Sequence, residues 1–183
     1  VVETRDQKIG HGFGSMPLGN VCAFPPRYVP FEQSLSAMKQ LAEQSVAKTR
    51  EHHLIAHPLD HSEILEPVFT ELSKQISDQM GLSLPIPKLC TAVTTSPIDA
   101  AIHDAFGRAN GINSYNGLSS VFVNYDLSHY LNTQKAGVAS EQLHPDRFQG
   151  KYLDQYLSNS PKNYMPLYHL IGALDPLTSD DIT

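Results

Sequence analysis

Alternation with a period of two opens the chain. Val2 and Thr4 alternate with charged neighbours, Asp6-Gln7-Lys8 supplies a turn, and Ile9 to Phe13 returns, so residues 1–14 read as a β-hairpin. Gly10, Gly12 and Gly14 alternate with Ile9, His11 and Phe13. Glycine at every second strand position bares one face, and another element is expected to pack closely against it. No helix follows these glycines, so they do not form a phosphate loop of the GxGxxG kind.

The period then changes. From Phe31, apolar residues recur at Leu35, Met38, Leu41, Ala42 and Val46, which predicts a helix with Glu32 in its first turn. After Pro58, Asp60 and Glu63 form a D-x-x-E box. Ile64, Leu65, Val68, Phe69, Leu72, Ile76 and Met80 form a stripe, and Gly81 is the stop. Pro67 inside this pattern is expected to kink the helix or to mark its true start. A third helix is predicted with Ser96 at the N-cap, Pro97 at the first position and Asp99 closing the box. Ile98, Ala101, Ile102, Ala105 and Ala109 run along it, and Gly111 ends it; the alanines permit close approach of a neighbour. Between the hairpin and the first helix, residues 15–30 read as a long loop stiffened by prolines. Further on, residues 124–131 predict a short helix, 133–148 an irregular excursion and 151–157 a helical turn or two. The apolar, aromatic run 164–172 predicts one buried strand. Strands, then helices, then one late strand predict an α+β fold.

Composition changes this picture little. Hydrophobic residues make up 40 %, and 11 glycines raise the apolar share to about 46 %, the globular range. A chain of 183 residues can bury a core without disulfides. Lys and Arg number 13 against 19 Asp and Glu, a net charge of −6, which argues against a nucleic-acid partner. No apolar run approaches the ~18 residues of a membrane span, so no membrane partner is expected. Cys22 and Cys90 are too few for a disulfide framework, and a reducing, cytoplasmic location is the expectation.

Candidate chemistry is sparse. His53, His57 and His61 fall at i, i+4 and i+8, a ligand spacing on an unbroken helix, but Pro58 interrupts that helix. A polar loop that happens to be rich in histidine is the competing reading. His103 and Asp104 are sequence neighbours and do not face each other on a helix; Asp99 and Asp104 are expected to brace another segment. Asp126, His129, His144 and Asp146 form no pattern. His169, in the late strand, reads as a hydrogen-bonded core residue sooner than as a catalyst. No nucleophile elbow is present.

One stretch carries a resemblance. Ser96-Pro97-Ile98-Asp99-Ala100-Ala101-Ile102-His103-Asp104-Ala105-Phe106-Gly107-Arg108 resembles the last helix of the N-terminal cap domain in the enolase superfamily, in its mandelate racemase and muconate lactonizing branch. Gly111-Ile112-Asn113-Ser114-Tyr115 stands where that domain has a short turn. The opening hairpin is similar to the cap's second and third strands, and two long helices follow in the same order. The resemblance implies antiparallel strands and a helical bundle over 1–115, an irregular connection over 116–163, and over 164–183 the first strand of a (β/α) barrel, with His169 as a contact on that strand.

For the complete enzyme the resemblance implies magnesium-assisted removal of the proton α to a substrate carboxylate, leading to racemisation, dehydration or cycloisomerisation. Its partners would be a small carboxylate substrate and other copies of itself in a homo-oligomer. A barrel needs about 250 residues, and only 20 follow residue 163. The chain is therefore expected to be a portion of a longer enzyme, inactive alone, with its catalytic and metal-binding residues elsewhere and its first cap strand missing. Met16, Asn20, Cys22 and Phe24 lie where the family has its substrate-specificity loop. The alternative is a non-catalytic α+β binding or interaction domain; a third reading is a metal protein built on His53, His57 and His61.

Overall fold

The computed structural model describes residues 1–24, 29–131, 145–158, 160 and 162–167. Strands β1 (Val2–Glu3) and β2 (Ile9–Gly10) pair antiparallel, Val2 opposite Gly10 and Glu3 opposite Ile9. Thr4 closes the turn: its hydroxyl donates to Asp6 and accepts from the Lys8 N–H. The hairpin is as predicted, but its ladder is short. Beyond Gly10 the chain runs along a helix instead of a strand.

That helix is α4 (Lys88–Asn110), the centre of the molecule, which packs against α2 (Phe31–Arg50), α3 (Pro58–Gln79) and both strands. A Cβ at Gly10, Gly12 or Gly14 would overlap the carbonyl oxygen of Ala105, Ala101 or Pro97 respectively. The match is geometric. Two extended residues rise about 6.7 Å and four helical residues about 6 Å. Every second residue of the returning strand thus meets every fourth residue of α4, running in the opposite direction. The bared glycine face predicted from sequence is this contact, and the alanines of α4 are its other half.

The third predicted helix starts eight residues earlier than Ser96. Pro97 lies inside it, with no N–H to give the Val93 carbonyl. The Ser96 hydroxyl donates to that same carbonyl at 2.9 Å. Ser96 is therefore a replacement donor within the helix and not its N-cap. Gly111, at φ 67°, ends α4 as predicted.

In α3 the cap also moves. His57 is the N-cap and Pro58 the first helical residue: the His57 ring accepts from the Leu59 N–H, and Asp60 accepts from the His57 N–H. The box is thus His-Pro-Leu-Asp, three residues before the one predicted. Pro58 begins the helix where it had argued against one, and Pro67 is accommodated within it. Gly81 follows at φ 58°. In α2 the inward face is Ser34, Ala37, Met38, Leu41 and Ser45, while Phe31 and Val46 of the predicted stripe are exposed. Small polar residues at helical spacing let the helices approach closely and displace the core edge from the purely apolar stripe. Phe24, Val29, Met38, Leu41, Ile76 and Cys90 form the heart of the core.

Residues 15–24 are not all loop: α1 (Asn20–Ala23) is one helical turn. Farther along, α5 (Leu127–Tyr130), capped by Asp126, and a 3₁₀ turn at Leu153–Tyr156 fall where short helical segments are predicted, while a 3₁₀ turn at Ser114–Gly117 does not. A two-strand antiparallel sheet with a helical bundle makes the fold α+β. Tyr164, Met165 and Leu167 are exposed and form no strand. Residues 168–183, which include His169 and most of the expected barrel start, lie outside the described residues. Among the described residues no helix is long and apolar enough to cross a membrane.

Candidate functional site

Two regions collect the candidate residues. The first is the turn at the end of the glycine strand. Asn20 is buried, and its amide N–H groups donate to the Phe31 carbonyl (3.1 Å) and the Ser34 hydroxyl (2.9 Å). Phe24 is 1 % exposed, inside the core. These two side chains pin α1 to α2. Met16, Val21 and Cys22 face solvent from the pinned turn, as does Phe13. Asp104 fixes the strand that leads there, accepting from the Phe13 N–H at 2.9 Å. Arg108 beside Asp104, followed by that N–H, holds its carboxyl below the usual carboxylate range. Asp99 accepts from the Ser62 hydroxyl of α3. Both acids thus brace a second segment, as their sequence context suggested.

The second region is a cavity of about 540 Å³ between the hairpin, the 52–57 segment and α4. Its volume is in the range of small-molecule sites. His52, His53, His57 and His61 line it, with Asn110 and Asn124 opposite. The histidines do not share one helix face: His53 is in the connecting segment, His57 caps α3 and His61 sits in its first turn. Sequence reasoning flagged three of the four. Thr49, Asn110 and Asn124 carried no signal, because they come from separate segments that only folding brings together.

His57 is 4 % exposed; its Nδ1 accepts from Leu59, so its Nε2–H donates to the Gly117 carbonyl at 3.0 Å. Burial pushes its pKa down to about 4, the Gly117 bond opposing and His103 adding to the effect. Burial, followed by the neighbouring His52, lowers His61; burial also lowers His103, against the pull of Asp99. These three rings are neutral at neutral pH.

Behind them Asp60 is 5 % exposed and accepts from three donors: the His57 N–H, Asn124 Nδ2 (2.5 Å) and the Tyr130 hydroxyl (2.5 Å). Burial, then the bond to Asp60, raises the Tyr130 pKa above its ordinary value. Through these bonds Asp60 ties α3 to the 124–130 segment. His129 bonds Glu63 at 2.9 Å and stacks on Tyr125. Asp126 accepts from Ser128 and from the Gly150 N–H.

Among the described residues no three His, Cys, Asp or Glu side chains converge as a metal site. His57 has both ring nitrogens engaged, by the Leu59 N–H and the Gly117 carbonyl, so it is not open as a ligand beside His53 and His61. Compared with protein-family models, with curated proteins and with solved structures, the chain matches none.

Proposed function

We propose that this chain is the cap portion of an enolase-superfamily enzyme, one that removes the proton α to a substrate carboxylate. The observation that carries the reading is the pinned turn. Asn20 and Phe24 anchor α1 inward, and Met16 and Cys22 are presented outward at the end of a strand locked to α4. A closing loop needs this combination: side chains free to touch substrate on a backbone held in place. The element order supports it as well, since a hairpin followed by three long helices is what the resemblance implies. The chain's own part would be to shape the site and exclude water. Proton abstraction and magnesium binding would fall to residues elsewhere. The cavity favours the second reading, a non-catalytic binding domain.

The test uses the natural polypeptide that carries this sequence, supplied with magnesium. α-Proton exchange with deuterated solvent is followed by NMR across acid sugars and amino-acid derivatives. Exchange on at least one carboxylate is expected, and Met16→Ala or Cys22→Ser should change the ratio of kcat/KM between a large and a small substrate. The 183-residue chain alone should be inactive. Exchange by that chain alone, or no exchange by the natural polypeptide, would overturn the reading.

A further inference from the structure

Residues 113–131 are held to the helical bundle by side chains and not by backbone. Among the described residues, their backbone hydrogen bonds run within the segment or to residues 151–154, as from the Leu127 N–H to the Lys151 carbonyl, and none reaches α2, α3 or α4. Polar attachment comes instead from three side chains at the start of α3, three residues apart. His57 bonds the Gly117 carbonyl, Asp60 bonds Asn124 and Tyr130, and Glu63 bonds His129. Leu118, Val123 and Leu127 add buried apolar contact, and Phe122 meets Phe106 of α4 edge to face.

The His57 attachment is one that a proton breaks. The Leu59 N–H can only donate, so the Nδ1 it faces carries no hydrogen, and the neutral ring has its proton on Nε2, against Gly117. A second proton would go on Nδ1, where it meets the Leu59 N–H head on. Because the ring is rigid, turning it away from Leu59 also withdraws Nε2 from Gly117. The ring is buried against Phe106 and His103 of α4, so a charge on it calls for water to enter.

We propose that residues 113–131 are a strap that acidification releases from α3, with His57 as the proton-sensitive attachment, and that release opens the cavity wall made by Phe122 and Asn124. The titratable groups around the ring are His103 from α4 and Asp60 and His61 from α3, while the strap brings the Gly117 carbonyl. On the strap itself, Tyr130 faces Asp60 and His129 faces Glu63. Burial is the largest effect on the His57 pKa and pushes it down to about 4; His103 and His61 act the same way, and the Gly117 bond and Asp60 oppose them. Once released, the ring regains its ordinary 6.5, so the open form takes up a proton that the closed form refuses until about pH 4. The ratio of open to closed strap therefore rises as the pH falls, by about twentyfold between pH 7 and 5.

Hydrogen exchange of the full chain, followed by NMR and corrected for the intrinsic effect of pH, tests this. The Val123 and Leu127 amides should exchange faster than Ile102 of α4, with a weaker dependence on urea, as a local opening requires. Their protection should fall about twentyfold from pH 7 to 5. Tyr130→Phe removes an attachment and leaves the titrating ring; protection of the strap should drop about tenfold at pH 7 and keep its pH dependence. In His57→Asn, strap protection should no longer change between pH 7 and 5. Equal protection and equal urea dependence at Val123, Leu127 and Ile102 would mean that the strap opens only with the whole fold, and would overturn the proposal. So would strap protection that ignores pH in the parent, or a pH dependence that survives in His57→Asn.

Discussion

The glycine strand on α4 and the histidine-lined cavity are both built against the same helix, and they are built in opposite ways. On the strand side, backbone meets backbone. Gly10, Gly12 and Gly14 lie against the carbonyls of Ala105, Ala101 and Pro97 with no space for a methyl group, and one acid, Asp104, fixes the register. On the cavity side, aromatic and imidazole rings stand at contact distances, His57 to Phe106 at 5.0 Å and His57 to His103 at 6.2 Å, around open volume. The first region tolerates no added atom. The second tolerates space but no added proton, because its buried rings hold together only when neutral. Close packing and buried ionisable groups are different kinds of constraint, and each side of α4 is expected to fail under its own perturbation.

The strongest way to break the first region is from its far end. Phe24→Ala should cost about 3–5 kcal/mol, the usual range for emptying a buried phenyl site, read from a urea midpoint. A loss under 1 kcal/mol would mean that the turn is not anchored by the core. Next, Gly12→Val should cost about 3 kcal/mol by overpacking against the Ala101 carbonyl. Gly19→Ala, whose Cβ would meet nothing within 4 Å, should stay within about 0.5 kcal/mol. Equal effects at the two glycines would remove the argument for a matched strand and helix.

The cavity side is tested with protons. The folded-state pKa of His57, about 4, lies below the ordinary imidazole value of 6.5, so the unfolded chain binds more protons across that interval. Stability is then complete above pH 6.5 and falls as the pH drops toward 4, by about 2–3 kcal/mol for this ring. His61 and His103 act in the same direction. Denaturation midpoints against pH check this, and His57→Asn, which keeps a capping oxygen, should flatten the curve. A parent curve already flat from pH 7 to 4 would contradict a neutral, buried His57. The smallest effect returns to α4: Ser96→Ala should cost about 1 kcal/mol, by leaving the Val93 carbonyl without a donor opposite Pro97. An unchanged midpoint would show that water replaces the hydroxyl.

Local chemistry made much of this legible in the sequence. The hairpin, the close approach at alternate glycines, the stops at Gly81 and Gly111 and the bracing acids Asp99 and Asp104 each follow from residues a few positions apart. Rules of that range failed where two local signals competed. Ser96-Pro97 has the form of a helix start, yet it lies mid-helix because one hydroxyl replaces the missing N–H. Pro58 reads as a break, yet with His57 it is a beginning. The inward residues of α2 were hidden because Ser34, Ala37 and Ser45 carry no apolar signal; the approach of neighbouring helices put them inside. The cavity was the least legible feature. Thr49, His52, Asn110 and Asn124 come from separate segments, and only the folded chain puts them on one wall. Composition and periodicity determine which segments become helix or strand, because those choices are made within a turn or a pleat. Which side chains become neutral or pinned was decided only by tertiary structure, because desolvation and hydrogen-bond partners come from segments that meet only in the folded chain.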